Sequence, residues 1–330
     1  MAWLAVTGDA HAAWSVDLGP LGYLSTAGGG KGGEVTALLW ALLLLSIAVV
    51  LITSGLVLAG LALRRSRHVD VAAEPVSQTG GGLRWIVIGT GVSTVALFGA
   101  MVWNGYTMAA INRPPREPSL TIEVRGHQWW WEFTYRSGET SRTFTTANEI
   151  HIPVGEPVRF RVTTSDVIHS FWAPALGDKM DLIPNQENTL WLEADRAGVY
   201  RGQCAEYCGK QHAYMGLLVV AEPADAFRKW WDGQLAPAPQ ADSEGARNFL
   251  VRCGGCHAVR GTLAAGRVGP DLSHLMTRRT IAAGALPNTI GHLSGWIADP
   301  QGVKPGNLMP DLELSGRELA SIRDYLGSLN

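Results

Sequence analysis

GQCAEYCGKQHAYMGLL, residues 202–218, brings Cys204, Glu206, Cys208, His212 and Met215 within a dozen positions of one another. The two cysteines stand four apart, His212 follows four later and Met215 three after that. Paired thiolates with an imidazole suit copper or zinc. Zinc tolerates three residues between its cysteines, but methionine is a poor zinc ligand and a good soft ligand for copper in electron-transfer sites. A further imidazole is available in DVIHSFWAP, where His169 lies 35 residues before Cys204 and can come from a neighbouring loop of the same domain.

Working outward, residues 120–220 break into short alternating runs. TIEVRGHQWWWEFTY, ANEIHIPVGEPVRFRVTT and ENTLWLEADRAGVYRGQC read as strands punctuated by Gly, Pro and Asn. Evenly spaced short strands predict a β-sandwich or barrel. Neighbours on a strand point to opposite faces, so one or two of Trp129, Trp130 and Trp131 must be core.

Upstream, residues 35–63 carry no charge over 29 positions and residues 85–111 none over 27. About 20 apolar residues suffice to cross a bilayer, so both stretches predict transmembrane helices forming a hairpin over residues 34–112. The loop between them, about residues 64–84, holds Arg64, Arg65, Arg67 and Arg84, as suits the cytoplasmic side. Residues 1–33 form an outer tail with Lys31 as its one basic residue; Arg113 and Arg116, after the second span, weaken the bias. The tail ends an alanine-rich stretch in AHA but lacks the basic start and long apolar core of a signal peptide, so it reads as a signal remnant or a plain tail. It has no cysteine for lipid attachment. The net charge of -2 gives no reason to expect a nucleic-acid partner.

Downstream, residues 233–242 (GQLAPAPQAD) read as an extended Ala/Pro linker. Residues 243–330 then turn helical, and Leu319, Ile322, Leu326 and Leu329 mark one apolar helix face. The remaining cysteines, Cys253 and Cys256, stand in CGGCH, the attachment pattern of c-type haem, with His257 as proximal ligand. All four cysteines of the chain thus fall in two tight pairs, which suits ligand and cofactor sites better than a disulfide framework. A soft sixth ligand raises the potential for electron transfer. Met309 in KPGNLMP, 52 residues after His257, is the expected one; its rival Met276 lies in SHLMTRRT, which reads as helix.

DVIHSFWAPALGDKMDLIPNQ followed by GQCAEYCGKQHAYM resembles the dinuclear copper (CuA) motif of the cytochrome c oxidase subunit II family, and GHQWWWEFTY resembles that family's aromatic stretch. Two spans before a cupredoxin β-domain (residues 113–232) match its architecture. The resemblance implies two copper ions bridged by Cys204 and Cys208, with His169 and His212 as imidazole ligands, Met215 as weak axial ligand and the Glu206 carbonyl as a further donor. It implies that the Glu206 side chain reaches a magnesium at the contact with subunit I, and that Trp129 accepts electrons near the copper. Such a set has no place for a substrate; its work is electron transfer.

Residues 243–330 resemble a class I cytochrome c. Gly245 and Phe249 match its N-terminal helix, Tyr325 and Leu326 its closing helix, and GPDL (residues 269–272) the loop whose Pro270 carbonyl accepts the His257 ring N–H. Trp296 matches its haem-propionate partner. The combination implies subunit II of a haem–copper oxidase with a fused cytochrome c, lying in a bacterial-type plasma membrane with both termini and the metal domains on the outer, periplasmic side. Its partners would be subunit I and further oxidase subunits, with cytochrome c or another electron donor. The alternatives are the small subunit of a CuA-type nitric oxide reductase and a membrane-anchored electron carrier; a quinol oxidase subunit is disfavoured by the copper ligands. One departure stands out. Many relatives begin the second span with a glutamate a turn before a Trp, but here Gly82 stands three before Trp85 and no acid occurs in residues 75–111.

Overall fold

The computed structural model describes residues 28–64, 82–136, 142–239 and 242–330; most of the N-terminal tail and of the interhelical loop lie outside the described residues. The chain divides into two bodies, residues 33–113 and residues 1–32 with 114–330.

The first body is built on helices α1 (Gly30–Arg64) and α2 (Gly82–Asn112), both long and apolar enough to cross a membrane. Two hydroxyls of α1 bond back into the helix: Ser46 Oγ donates to Leu42 O at 2.8 Å and Thr53 Oγ1 to Val49 O at 2.8 Å. Satisfying polar groups within the helix is what a hydrocarbon environment demands.

In the second body two five-stranded sheets face each other. One has the order β3-β2-β1-β5-β8, from β1 (Leu120–His127), β2 (Trp130–Arg136), β3 (Phe144–Ala147), β5 (Val158–Thr164) and β8 (Asn188–Leu192). The other has the order β4-β10-β9-β6-β7, from β4 (Glu149–Pro153), β6 (His169–Trp172), β7 (Met180–Leu182), β9 (Gly198–Cys204) and β10 (Gly216–Glu222). β1–β5 and β4–β10 pair in parallel, and the other neighbours run antiparallel. The alternation read from the sequence is the alternation of burial: Ile122 and Val124, Phe133 and Tyr135, Val158, Phe160 and Val162 all point into the core between the sheets. Each such burial contributes roughly 1.5–3 kcal/mol relative to exposure. Of the three tryptophans, Trp131 is fully buried, whereas Trp129 lies in the turn between β1 and β2 and Trp130 stacks on His127 at 4.2 Å. Residues 28–31 join this body: Gly28 N donates to Ala175 O and Lys31 Nζ meets Asp178 Oδ1, both at 2.7 Å.

Helix α3 (Ala224–Leu235) closes one end of the sandwich with Trp230 and Trp231 against Tyr135 and Phe144. The expected linker therefore starts within a helix: Gly233–Leu235 are its last turn. The next residues pack instead of running free. Ala238 is buried and donates to Arg260 O at 3.0 Å, and His274 Nε2 lies 3.1 Å from Ala236 O. Small side chains that read as poor packers are here what lets the chain lie flat on the helical domain.

That domain contains α4 (Glu244–Arg252), a two-stranded ribbon of β11 (Thr280–Ile281) and β12 (Leu286–Pro287), α5 (Ile290–Ala298), α6 (Pro300–Val303) and α7 (Gly316–Gly327). α4 and α7 cross at Gly245, where any Cβ would strike the Ser321 carbonyl, with Phe249 and Tyr325 rings 5.5 Å apart. Ile322, Leu326 and Leu329 are buried on the face read from their spacing. Ser315 and Glu318 form a capping box at the start of α7, a device whose loss typically costs about 1 kcal/mol. SHLMTRRT, read as helix, forms only the 3-10 turn Leu275–Thr277.

One buried polar cluster yields a pH test. His151 on β4 stacks on Trp230 at 4.1 Å and lies between Glu149 (3.2 Å) and Glu222 (3.0 Å). Burial alone lowers its pKa, but the two carboxylates outweigh burial and hold it above the ordinary 6.5. A raised folded-state value stabilises fully below the unfolded value and is lost as pH rises through the folded one. The unfolding midpoint of the protein, followed by calorimetry, is expected to fall as pH rises above 6.5. His151→Gln should flatten that decline; an equal slope in both proteins would refute the assignment.

Candidate metal centres

The first centre forms where one sheet ends. Cys204 is the last residue of β9, His169 the first of adjacent β6, and Phe171 pairs with Cys204 across them. β9 and β10 are antiparallel neighbours, so the loop from Cys204 must return to Gly216; Cys204 N donates to Met215 O at 3.0 Å and closes it. The loop contains the 3-10 turn His212–Tyr214.

The closure gathers every donor expected from the sequence. The Cys204 and Cys208 sulfurs are 3.8 Å apart. His169 Nδ1 lies 3.9 Å from Cys204 Sγ, His212 Nδ1 3.6 Å from Cys208 Sγ, and Met215 Sδ 3.8 Å from Cys208 Sγ. The Glu206 carbonyl oxygen is 3.1 Å from Cys204 Sγ, while its side chain is exposed. His169, Cys204, Cys208 and Met215 are buried. Among the described residues, His169, Cys204 and Cys208 are the one cluster of such side chains close enough to share a metal ion.

The frame prepares these donors chemically. The hydrogen bond with Cys208, aided by His169 and by backbone amides, lowers the Cys204 thiol to about 3, and Cys208 is correspondingly raised by Cys204 and by burial. His169 Nε2 lies 2.8 Å from Asp166 Oδ1, which turns Nδ1 toward Cys204. Asp166 is fixed in turn by the Gln128 and Val167 amides at 2.8 and 2.7 Å. The sequence reading missed Asp166, although an acid three residues before a metal-binding histidine is a legible signal. The donor set of soft sulfurs and imidazole nitrogens fits copper.

The second centre follows α4. His257 N donates to Cys253 O at 2.9 Å, and His257 Nδ1 lies 2.8 Å from Pro270 O, the partner expected from GPDL. The imidazole is thereby oriented with Nε2 left to face a ligand. Burial, with Arg278 adding to it, lowers the His257 pKa and keeps the ring neutral, as an axial ligand requires. A Cβ on Gly269 would strike the ring, so glycine is what lets the loop approach. Cys253 is half-buried and Cys256 exposed, both as free thiols. These features fit covalent haem. Met309 sits in a loop fixed by Gln301 Nε2, which donates to Asn307 O and Met309 O at 2.9 and 2.8 Å. Met276 instead packs on the domain's apolar core, as does Trp296.

The two domains meet across a hydrogen-bonded seam. Lys304 Nζ donates to Trp129 O (3.1 Å), Tyr214 O (2.8 Å) and Ala282 O (3.2 Å). Gln211 Nε2 donates to Pro305 O at 2.7 Å, Gly216 N to Ala283 O at 2.9 Å and Arg279 N to Glu149 Oε2 at 2.9 Å. Trp129 therefore lies within the seam, with its indole N–H on Cys208 O at 2.9 Å. None of these contacts had a sequence signal.

Comparison with known proteins gives two family matches. Residues 137–222 match the family described as cytochrome C oxidase subunit II, periplasmic domain, and residues 243–330 match cytochrome c. Cytochrome c oxidase subunit 2 of Alkalihalophilus pseudofirmus is 41% identical over 217 residues, 64% of this chain and 61% of that protein. The protein of the same name from Bacillus sp. (strain PS3) is 36% identical over 237 residues, 67% of this chain and 65% of that one. The match thus spans less than two thirds of these relatives' length. The solved periplasmic domain of subunit II of cytochrome oxidase from Bradyrhizobium japonicum is 33% identical, covering 36% of this chain and 95% of that one, with a TM-score of 0.34.

Asp166→Ala would leave His169 Nε2 without its partner in a fully buried site. Loss of such an outer hydrogen bond typically costs about 10–100-fold in metal affinity. Competition with a copper chelator should show that loss; unchanged retention of copper would mean that Asp166 does not orient the ring.

Proposed function

We propose that this chain, which joins a periplasmic domain of cytochrome c oxidase subunit II to a cytochrome c domain, is the electron-accepting subunit of a haem–copper oxidase. The observation that carries the reading is the convergence of two thiols, two imidazoles, a thioether and a carbonyl at one end of a rigid β-frame. When bound, two coppers shared by Cys204 and Cys208, and a haem held by Cys253, Cys256 and His257, would supply one-electron carriers of little reorganisation.

The chain's own residues do the rest. His169, His212, Met215 and the Glu206 carbonyl would complete the copper set, and Met309 would offer the haem iron its second, soft donor. A cytochrome c or another donor delivers electrons to the cytochrome c domain. They cross the seam to the copper domain and leave for the haem of subunit I, where oxygen is reduced to water with proton pumping. The exposed Glu206 carboxylate meets magnesium at the subunit I contact. Trp129, whose carbonyl accepts from Lys304 Nζ at 3.1 Å, is the alternative entry point for an outside donor.

The apolar helices anchor the chain in a bacterial-type plasma membrane, with both termini and the metal domains outside. The domain limits are residues 113–232 for the copper domain and 243–330 for the cytochrome.

The test is purification of the membrane complex with optical and EPR spectra and oxygen-consumption assays. The expected result is a two-copper mixed-valence EPR pattern, a c-type haem spectrum and co-purification with a multi-span haem protein that reduces oxygen. A single-copper pattern, zinc in its place, or a chain without that partner would contradict the reading.

Two further outcomes follow. Met309→Ala is expected to lower the haem c potential and abolish the far-red sulfur-to-iron band; if Met276→Ala does so instead, the ligand assignment is wrong. In stopped-flow mixing with the donor, haem reduction should scale with donor concentration, and copper reduction should follow at a rate independent of complex concentration. Copper reduced by the donor at the same second-order rate as the haem would place the first acceptor at Trp129.

A further inference from the structure

We propose that the cytochrome c domain is a structural part of the copper site: Lys304 and the turn at residues 282–284 grip the main chain on both sides of Met215 and so set where its thioether stands. The inference rests on the copper reading above.

Met215 is fully buried, and its own carbonyl is taken up within the copper domain, by Cys204 N at 3.0 Å and Trp131 Nε1 at 3.3 Å. Its two neighbours in sequence are held from the other domain. Tyr214 O accepts from Lys304 Nζ at 2.8 Å, and Gly216 N donates to Ala283 O at 2.9 Å. The two grips are one device, because Lys304 also donates to Ala282 O at 3.2 Å. Its third contact is Trp129 O at 3.1 Å, and the Trp129 indole in turn holds Cys208 O at 2.9 Å.

Two observations show that these contacts are demanding. Lys304 is only 3% exposed. A buried ammonium is costly unless its donors are satisfied. It has three N–H groups and no acceptor, and three carbonyls from three separate segments use them all. The turn itself is strained: Ala282, Ala283 and Gly284 stand consecutively at φ of 54, 58 and 81°. Left-handed backbone is unfavourable for alanine and persists where the surroundings over-determine it. Here both alanine carbonyls are engaged, one by Lys304 and the other by Gly216.

A thioether bound weakly to a metal has little power to choose its own place, so its distance follows its main chain, and axial distance tunes a copper site. Lys304 touches none of the copper donors and acts through Tyr214; it is a positioning residue.

The test uses the full chain in its membrane complex with Lys304→Met, which keeps the apolar stem and removes the donors. The expected result is a shift of the copper EPR hyperfine pattern, near-infrared absorption and midpoint potential, with the haem c spectrum and potential unchanged. Hydrogen exchange of the Gly216 amide should quicken roughly tenfold, the scale of one net hydrogen bond. Ala282→Gly with Ala283→Gly relieves the turn while keeping its carbonyls, and should keep the wild-type copper spectrum. If Lys304→Met does not accumulate with haem and copper, Lys304→Gln, whose amide retains two donors, should show a smaller shift in the same direction. An unshifted copper spectrum in the Lys304 variant overturns the proposal, whether or not the Gly216 amide exchanges faster. A wild-type protein with no copper signal overturns the copper reading as well.

Discussion

The pairing of β9 with β10 is the constraint on which the rest depends. It forces the chain leaving Cys204 to return to Gly216, and the bond from Cys204 N to Met215 O sets the width of the loop at its neck. Everything the loop carries is thereby confined: Cys208 is brought back to 3.8 Å from Cys204, and His212 and Met215 come within 3.6 and 3.8 Å of the Cys208 sulfur. His169 joins because β6 pairs with β9 on the opposite edge. The sheet bears the cost of crowding two sulfurs together, most visibly in the unequal hold on their protons. A metal taken into such a loop finds its donors already near place, and a carrier whose surroundings do not move is a fast one.

The helical domain extends that logic across a domain boundary. Its contacts with the β-domain are mainly to main-chain carbonyls and amides, with Glu149 and Gln211 as side-chain exceptions. Main-chain acceptors do not change rotamer, so a seam built on them specifies one register. Glu149 also belongs to the His151 cluster under Trp230, so α3, β4 and the Arg279 segment are joined through a single carboxylate. Docked in this way, the cytochrome c domain is a fixed neighbour of the copper loop, in contrast to the free tether expected from the linker's composition.

Much of this was legible in the sequence because the deciding chemistry is local. Cys204, Cys208, His212 and Met215 announce themselves by spacing, as do Cys253, Cys256 and His257, and charge-free runs of residues 35–63 and 85–111 need no partner to be read. Some strand positions followed from alternation, although β3, β6 and β7 were too short to show it and β10 is a continuous apolar run without it. What stayed hidden depends on distant pairing. Lys304 stands in the approach to Met309, and nothing near it in sequence indicates that its partners lie at Trp129 and Tyr214. The Ala/Pro stretch misled for a related reason: composition reports how freely a segment moves alone, and Ala238 is buried because a second surface is there to receive it.

That burial bears on where the cytochrome c domain begins. Ala238 belongs to the domain's apolar cluster with Phe249, Val259 and Leu326, and it meets the Arg260 carbonyl, while Ala236 supplies an acceptor for buried His274. By sequence family the domain starts at residue 243, but by packing it starts at about residue 236. A soluble fragment cut at the family boundary would lose a strap that covers its core and leave His274 without one of its two carbonyl partners. A fragment that starts at Ala236 carries its own cover. For anyone dividing this chain into pieces, Ala236 and Ala238, which look most dispensable, are residues to keep.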